Sequence, residues 1–500
     1  MYAQHAEDLV VVDLFCGIGG GSAGVQMALG KSPEIAVNHD DYAIHAHRLN
    51  HPYTQHMRCD VFNVDQADAL SAHLPRRRGR RRILLIATPS CTHFSVARGA
   101  APRDAGIRDH ASVVIQWVNH PNPELRPDDG IVENVWEFTT WGPLIDGQPD
   151  PARRGVFFQQ WLQALKDAGY WVEYRKMSAA DYGAGTSRTR FICIFRKTEN
   201  GRRIVWPEPT HGPGRIAPWV AAHQIIDWGV PGRSIFGRER ELADATQQRI
   251  AEGLRRHILD SEDPFILEDH YGDAAAATFL YTNTSGHPGR SLGDPVPTIT
   301  TAGNRLLCLA FMARHYTGAA AVDLRRPLTT VTAVDHHALV TAHFLDQQHT
   351  ASRGRCARDP VPTIHGAGGH AQLVSVFLSK YYGTGGTSAD LADPLDTVTG
   401  VARFALAAGV WDRSEAPHSL RGRRWALSEE GVLCKLRGHT YVLQDIQMRM
   451  LEPWELAKAT GFPDSLVLPG TKARQIAGIG NAVCPPLVAA LVRAMYPEYQ

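Results

Sequence analysis

The 500-residue chain reads as an α/β protein: a mostly parallel sheet with helices on both faces, plus a smaller β-rich domain inserted late. Three observations predict this. Short, β-branched apolar runs alternate with helical patterns as far as residue 205. Pro207, Pro209, Pro213 and Pro218 then mark a linker and a change of texture. Beyond Phe279 one motif occurs four times, and the α/β texture resumes after Gln444.

The bulk numbers set limits on function. An apolar content of 44% supplies ample core material. No apolar run is expected to reach membrane-spanning length, and MYAQHAEDLVVVDLF lacks a basic region and a cleavage site, so neither secretion nor anchoring is expected. Eight cysteines stand singly, with no CxxC pair and no zinc spacing, which predicts reduced thiols in a cytoplasmic setting and no metal. With a net charge of +1, any nucleic-acid partner must be held by local patches. The clearest is Arg76-Arg77-Arg78-Gly79-Arg80-Arg81-Arg82, readable as a solvated loop or as a phosphate contact.

Leu9 to Leu14 (LVVVDL) predicts a buried parallel strand. It runs into Phe15-Cys16-Gly17-Ile18-Gly19-Gly20-Gly21-Ser22 and a helix over Ala23 to Leu29. Strand, glycine turn and helix start together suit a nucleotide-like cofactor, because glycines allow close backbone approach and the helix start offers free N–H groups. Ser22 stands where GxGxxG would need its third glycine, so a dinucleotide is not the best fit. Asp13 at the strand end suits a cationic or amino-bearing cofactor. A second strand is expected at Glu34 to Asn38, with Asn38 and Asp40 where ribose hydroxyls are commonly held, then a helix over Ala43 to Leu49. Asp60, in Arg58-Cys59-Asp60-Val61, reads as an adenine acceptor or as a solvated loop aspartate.

Ile83 to Ala87 predicts another buried strand, stopped by Pro89. Cys91 then falls at the carboxyl end of that strand, where open α/β sheets place their chemistry. Taken alone it reads first as a buried structural thiol. A loop from Ala97 to Arg108 and a helix over Ser112 to Val118 follow. Ile131-Val132-Glu133-Asn134-Val135 puts a carboxylate at the next strand, readable as a chemical group or as an arginine's partner. A helix over Val156 to Ala168 and strands at Tyr170 to Lys176 and Phe191 to Phe195 complete this part. Arg188 and Arg190 alternate, so on extended backbone both point to one face, which suits an anionic or carbonyl-bearing ligand.

After the linker a helical piece is expected over Glu239 to Leu259. Then Asp294-Pro295-Val296-Pro297-Thr298-Ile299-Thr300 recurs around Pro327, Pro360 and Pro394, at separations of 32, 33 and 34 residues, and Phe279, Phe311, Phe344 and Phe377 keep step. Such a period predicts four stacked β-prone units spanning 279–410, serving either as scaffold or as a surface whose loops touch a ligand. Last come Arg449 to Ala457, Thr460 to Pro463, and Gln475 to Leu487, where a Gly480-Asn481 turn is expected before a helix that ends at Met495.

In this order the segments resemble the DNA (cytosine-5)-methyltransferases over the first 200 and last 60 residues. Asp13 to Gly20 (DLFCGIGG) resembles that family's S-adenosylmethionine loop, and Pro89-Ser90-Cys91 its Pro-Pro-Cys nucleophile segment. Glu133-Asn134-Val135, Arg188-x-Arg190, Arg449 with Gly461-Phe462-Pro463, and Gly480 to Pro486 (GNAVCPP) complete the series. Ser90 replaces the usual second proline and Thr92 the usual glutamine, while Gly185 and Thr186 stand where a proline and a glutamine normally precede the arginines.

The resemblance implies a Rossmann-like catalytic domain over 1–205, a target recognition domain over 206–440 holding the repeats, and a C-terminal segment, 441–500, that completes the catalytic domain. It implies Cys91 as nucleophile at cytosine C6, Glu133 as proton carrier to N3, Arg190 on O2 and Arg188 in support. For S-adenosylmethionine it implies Asp13, Phe15, Gly17, Gly19, Asn38, Asp40, Asp60, Pro89, Asn481 and Val483. Duplex DNA is the expected partner, and a cytoplasmic monomer free of membrane the expected form. Two other readings remain at this point: the family's tRNA-modifying branch, and a sequence-specific DNA-binding protein whose catalysis has decayed.

Overall fold

The computed structural model describes residues 8–74, 81–89, 110–145, 148–227, 230, 233–234, 239–240 and 451–499, and between 265 and 450 the strands alone. Two compact units emerge, Met1–Trp219 with Ala457–Gln500, and Val220–Leu456.

The first unit is built on seven strands: β1 (Leu9–Leu14), β2 (Ile35–Asn38), β3 (Gln55–Arg58), β4 (Arg82–Ala87), β5 (Asp129–Asn134), β6 (Tyr170–Ser178) and β7 (Thr189–Lys197). Their order is β3-β2-β1-β4-β5-β7-β6. β1 to β5 run parallel. β7 enters antiparallel to β5, and β6 pairs antiparallel to β7 at the edge. The carboxyl ends of β1, β4 and β5 therefore share one edge of the sheet with the amino end of β7.

Successive side chains on β1 divide between two cores, as period-two alternation requires. Val10, Val12 and Leu14 join Trp117, Phe158 and Trp161, from helices α4 (Ser112–Val118) and α5 (Val156–Asp167). Leu9 and Val11 join Val25, Val488 and Leu491, from helices α1 (Gly20–Leu29) and α8 (Pro485–Met495). Helices thus cover both faces, and every β1 residue is buried, which is why the strand reads as an unbroken apolar run. α2 (Asp41–Asn50) and α3 (Gln66–Ser71) flank β2 and β3; α6 (Pro453–Thr460) and α7 (Lys472–Asn481) precede α8.

The proline-rich stretch after residue 205 stays with the first unit. Thr210 and His211 N–H donate to the Asp181 carbonyl at 2.9 and 3.0 Å. Trp219 Nε1 donates to the Asp181 carboxylate at 3.0 Å. These bonds carry the first unit on to Trp219, fourteen residues past the boundary read from composition. Lys472–Met495 corrects another expectation, because by length and composition it could cross a membrane; 67% of its most apolar stretch is buried inside the protein.

Among the described residues the second unit is dominated by strands. Its longest, Ala371–Lys380 and His439–Met450, pair antiparallel. The latter strand lies in the second unit although composition groups residues from 441 with the C-terminal segment. Each repeated phenylalanine falls on a strand: Phe279, Phe311, Phe344 and Phe377. The repeat prolines, residues 241–259 of the expected helical piece, and Arg76 to Arg80 lie outside the described residues.

One side-chain fork organises the end of this unit. Arg449 Nη1 and Nη2 reach the two oxygens of fully buried Glu455, each at 2.8 Å. The same guanidinium donates to the carbonyls of Asp227 and Val230. Glu455 accepts in return from the N–H groups of Asp227 and Glu452. A buried ion pair needs its remaining hydrogen-bonding groups satisfied in this way.

Candidate active site

The glycine loop starts where β1 ends. Phe15 has φ of 60°, the only positive value among described non-glycine residues, and Gly17 and Gly19 have φ of 53° and 101°. These left-handed positions suit glycine, and Phe15 holds one at a cost in strain. Its ring stacks on His110 at 5.7 Å. Thr88, just past β4, donates through Oγ1 to the Phe15 carbonyl at 3.1 Å and so ties the two strand ends together.

Close backbone approach brings the C-terminal segment against this loop. A Cβ on Gly20 would lie 2.3 Å from the Val483 carbonyl oxygen, and one on Gly24 would lie 2.5 Å from Val488 Cβ. Gly478 backs onto Ile18 in the same manner. Val483 is buried at this contact and Asn481 is exposed. Gly480 and Asn481 form the last residues of α7 rather than a turn, since the helical hydrogen bonds run on to Ala482 N–H.

Asp13 is buried beneath the loop, where Ser22 Oγ donates to its Oδ2 at 2.7 Å. Burial raises its pKa from 3.8 to about 7, against the lowering effect of the Ser22 bonds. Its Oδ1 has no hydrogen-bond partner among the described residues.

The polar residues expected at the ribose and adenine have local duties as well. Asp40 caps α2, accepting from Ala43 N–H at 2.9 Å, and Asn38 Oδ1 accepts from Asp40 N–H. Asp60 caps the following turn through Phe62 N–H at 3.0 Å. Each of the three retains solvent exposure beside the loop's strand edge.

At the far side of that edge, Glu133 is buried near the end of β5. Arg190 Nε lies 3.1 Å from Glu133 Oε1, and an Arg188 terminal nitrogen 4.0 Å from it. β7 runs antiparallel to β5 with Asn134 opposite Phe191, which delivers Arg190 and Arg188 to the carboxylate. Arg188 Nη1 also donates to the Gly480 carbonyl at 2.9 Å, placing a cation at the carboxyl end of α7, where the helix dipole favours one. Cys484 lies close by: burial pushes its thiol up to about 11, while Arg188 and Arg190 pull it down.

Cys91 lies outside the described residues, as do Ser90 and Thr92. The approach to it is visible. Pro89 is buried, and its carbonyl accepts from Asn134 Nδ2 at 3.4 Å. The structure thus brings Asp13, Phe15, Gly17, Gly19, Pro89, Glu133, Arg188, Arg190 and Val483 to one edge of one unit. Sequence reasoning missed the tethers Thr88 and Asn134; only their positions, each adjoining a strand end and a quoted motif, signal them.

A model of the C-5 cytosine-specific DNA methylase family matches residues 9–214 and 410–496. The type II methyltransferase M.AquIA of Picosynechococcus sp. is 27% identical over 209 residues, covering 41% of this chain and 79% of that protein. The type II methyltransferase M.SacI of Streptomyces achromogenes is 26% identical over 222 residues, covering 41% of this chain and 51% of that protein. A solved structure, a putative DNA modification methyltransferase encoded within an E. coli prophage, aligns over 98% of this chain and 99% of its own with 16% identity and a TM-score of 0.44. The family match spans most of the chain, including the sheet edge and the glycine loop just described, and the chain belongs to the C-5 cytosine-specific DNA methylase family, whose members methylate C5 of cytosine in DNA using S-adenosylmethionine.

Proposed function

We propose that this chain methylates C5 of a cytosine flipped out of duplex DNA, with Cys91 adding to C6 and Glu133, Arg190 and Arg188 managing charge on the ring. The observation that carries this reading is the convergence of both arginines on buried Glu133 at the strand edge that also holds the glycine loop and Pro89.

S-Adenosylmethionine supplies an electrophilic methyl group. The residues present fit it: left-handed glycines allow close approach, and the buried Asp13 carboxylate offers an unpartnered oxygen to a cationic ligand. Phe15, Gly17, Gly19 and Val483 would hold it, with Asp60, Asn38 and Asp40 toward the adenosine, and Pro89 and Asn481 at the margin.

Cytosine C5 is a poor nucleophile until a thiolate adds at C6 and turns the ring into an enamine. Cationic neighbours in general favour a thiolate over a thiol. Negative charge then grows on the ring and is relieved by a proton delivered to N3, the task assigned to Glu133. Arg190 holds O2, and Arg188 keeps β7 fixed to α7 through Gly480. Loss of the C5 proton afterwards lets Cys91 depart. Flipping the base out of the stack costs about a few kcal/mol.

The second unit, with its strand-borne repeats, would read the DNA sequence, and the chain would act as a cytoplasmic monomer. Methyl transfer from labelled S-adenosylmethionine to duplex DNA tests the activity, and Cys91→Ser is expected to abolish it. Transfer to tRNA in preference to duplex DNA, or an active Cys91→Ser protein, would overturn the reading.

A further inference from the structure

A chain of hydrogen bonds leaves the floor of the glycine loop and ends near the surface. Ser22 Oγ bonds Asp13 Oδ2 at 2.7 Å and His47 Nε2 at 2.8 Å. His47 Nδ1 bonds His56 Nε2 at 2.8 Å. Asp13, Ser22 and His47 are buried, and His56 is partly exposed. His51 packs on His47 at 4.7 Å between ring centres. A Cβ on Gly19 would meet His51 Nε2 at 3.1 Å, so the cluster lies directly under the loop.

Every link can run in either direction, because a hydroxyl and a neutral imidazole each donate once and accept once along such a chain. With Asp13 ionised, His56 Nε2–H donates to His47 Nδ1, His47 Nε2–H to Ser22, and Ser22 to Asp13. One proton taken up at His56 Nδ1 reverses all of them. Each imidazole passes a proton inward, Ser22 passes its own to Asp13, and the neutral carboxyl then donates back to Ser22. One proton enters from solvent and one carboxylate is neutralised.

We propose that Asp13, Ser22, His47 and His56 form a proton relay that carries a solvent proton to the floor of the cofactor loop, so that cofactor binding weakens as pH falls. This rests on the reading of that loop as the S-adenosylmethionine site, where a cationic ligand prefers Asp13 ionised.

Other groups acting on the chain leave it poised near neutrality. Burial raises Asp13 to about 7. Burial lowers His47 well below its usual value, with His51 and His56 adding to the effect, and lowers His51 to about 4. Burial and Arg48 lower His56. Cys16 is raised by burial and by Asp13 itself. The imidazoles therefore relay protons while staying neutral, and the charge resides on Asp13.

The test is calorimetric titration of the full chain with S-adenosylmethionine, which carries the sulfonium charge, at pH 8 and pH 6, in two buffers of different ionisation heat. Affinity is expected to fall about tenfold between these values, with proton release on binding at pH 6. Ser22→Ala removes the donor that favours ionised Asp13, so the fall should move to higher pH; Ser22→Thr should restore it. His56→Phe leaves the reversed chain without its final acceptor, so the fall should move to lower pH. Difference infrared spectra of the unliganded protein, reading the protonated carboxyl band, should report the same shifts. Normal affinity with no pH dependence, or both variants shifting in one direction, overturns the relay. No binding at either pH overturns the cofactor reading itself, and the relay with it.

Discussion

Glu133 Oε1 and Arg190 Nε stand 3.1 Å apart in a buried site, yet no N–H of Arg190 is aligned on that oxygen. The guanidinium instead donates Nη1 to the Thr189 carbonyl at 2.8 Å. The pair is held by charge and leaves hydrogen-bonding capacity on both members, as groups meant to grip a third partner require. Arg190→Lys keeps the charge and loses the planar fork. We expect kcat on duplex DNA to fall about 10²- to 10³-fold, with cofactor affinity by calorimetry unchanged.

Gly20 and Gly24 fix how closely α1 meets the C-terminal segment. For Gly20 the obstacle is backbone, the Val483 carbonyl, which has nowhere to retreat. Gly20→Ala should destabilise the protein by about 1–3 kcal/mol in urea unfolding. It should also weaken cofactor binding, whereas Gly30→Ala, with open space around its Cβ, should leave binding unchanged and show only the strain of its φ of 70°.

Much of this was legible in the chain because burial on both faces writes itself as uninterrupted apolar sequence. β1 has the bounds expected, Leu9–Leu14, and α4 likewise, Ser112–Val118. β6 runs on to Ser178, past the expected Lys176, and β7 spans Thr189–Lys197 instead of Phe191 to Phe195. β6 is the edge strand, where pairing tolerates polar residues that apolar counting stops at, and β7 is extended because it pairs along its length with β5 on one side and β6 on the other. The motif residues announced themselves by type and order. What they touch did not. Asp40 and Asp60 cap local backbone, as short carboxylates often do, and that competes with any reading of them as ligand acceptors alone. The partners of Ser22 lie 9 and 25 residues away and meet only when the sheet and α2 are assembled.

Arg449 was singled out as part of a motif, and the structure gives it a structural task within the second unit. Arg449→Met would leave Glu455, fully buried, without its counter-charge. Loss of about 3–5 kcal/mol is expected in urea unfolding. Arg449→Lys should recover only part of it, because one ammonium cannot engage both carboxylate oxygens and the carbonyls of Asp227 and Val230 together. Glu455→Gln, which keeps the shape and removes the charge, should be milder when combined with Arg449→Met than either change predicts by addition.

Stability against pH should carry two opposed signatures from the cluster under the glycine loop. Asp13 has its pKa raised from 3.8 to about 7, so folding binds a proton there that the unfolded chain gives up more readily. Its contribution is fully present below pH 3.8 and is lost as pH climbs to 7. His51 is lowered from 6.5 to about 4, and His47 is lowered further in the same direction. Their contribution is present above pH 6.5 and is lost as pH falls through the folded values. From pH 4 to 6.5 the two trends offset; between 6.5 and 7 the decline from Asp13 stands alone. Asp13→Asn retains an acceptor for Ser22 and removes the titration. Urea unfolding at stepped pH should then show a steeper rise in stability from pH 4 to 6.5 than in the wild type, and no decline above it. An unchanged profile in the variant would mean that Asp13 does not titrate in this range.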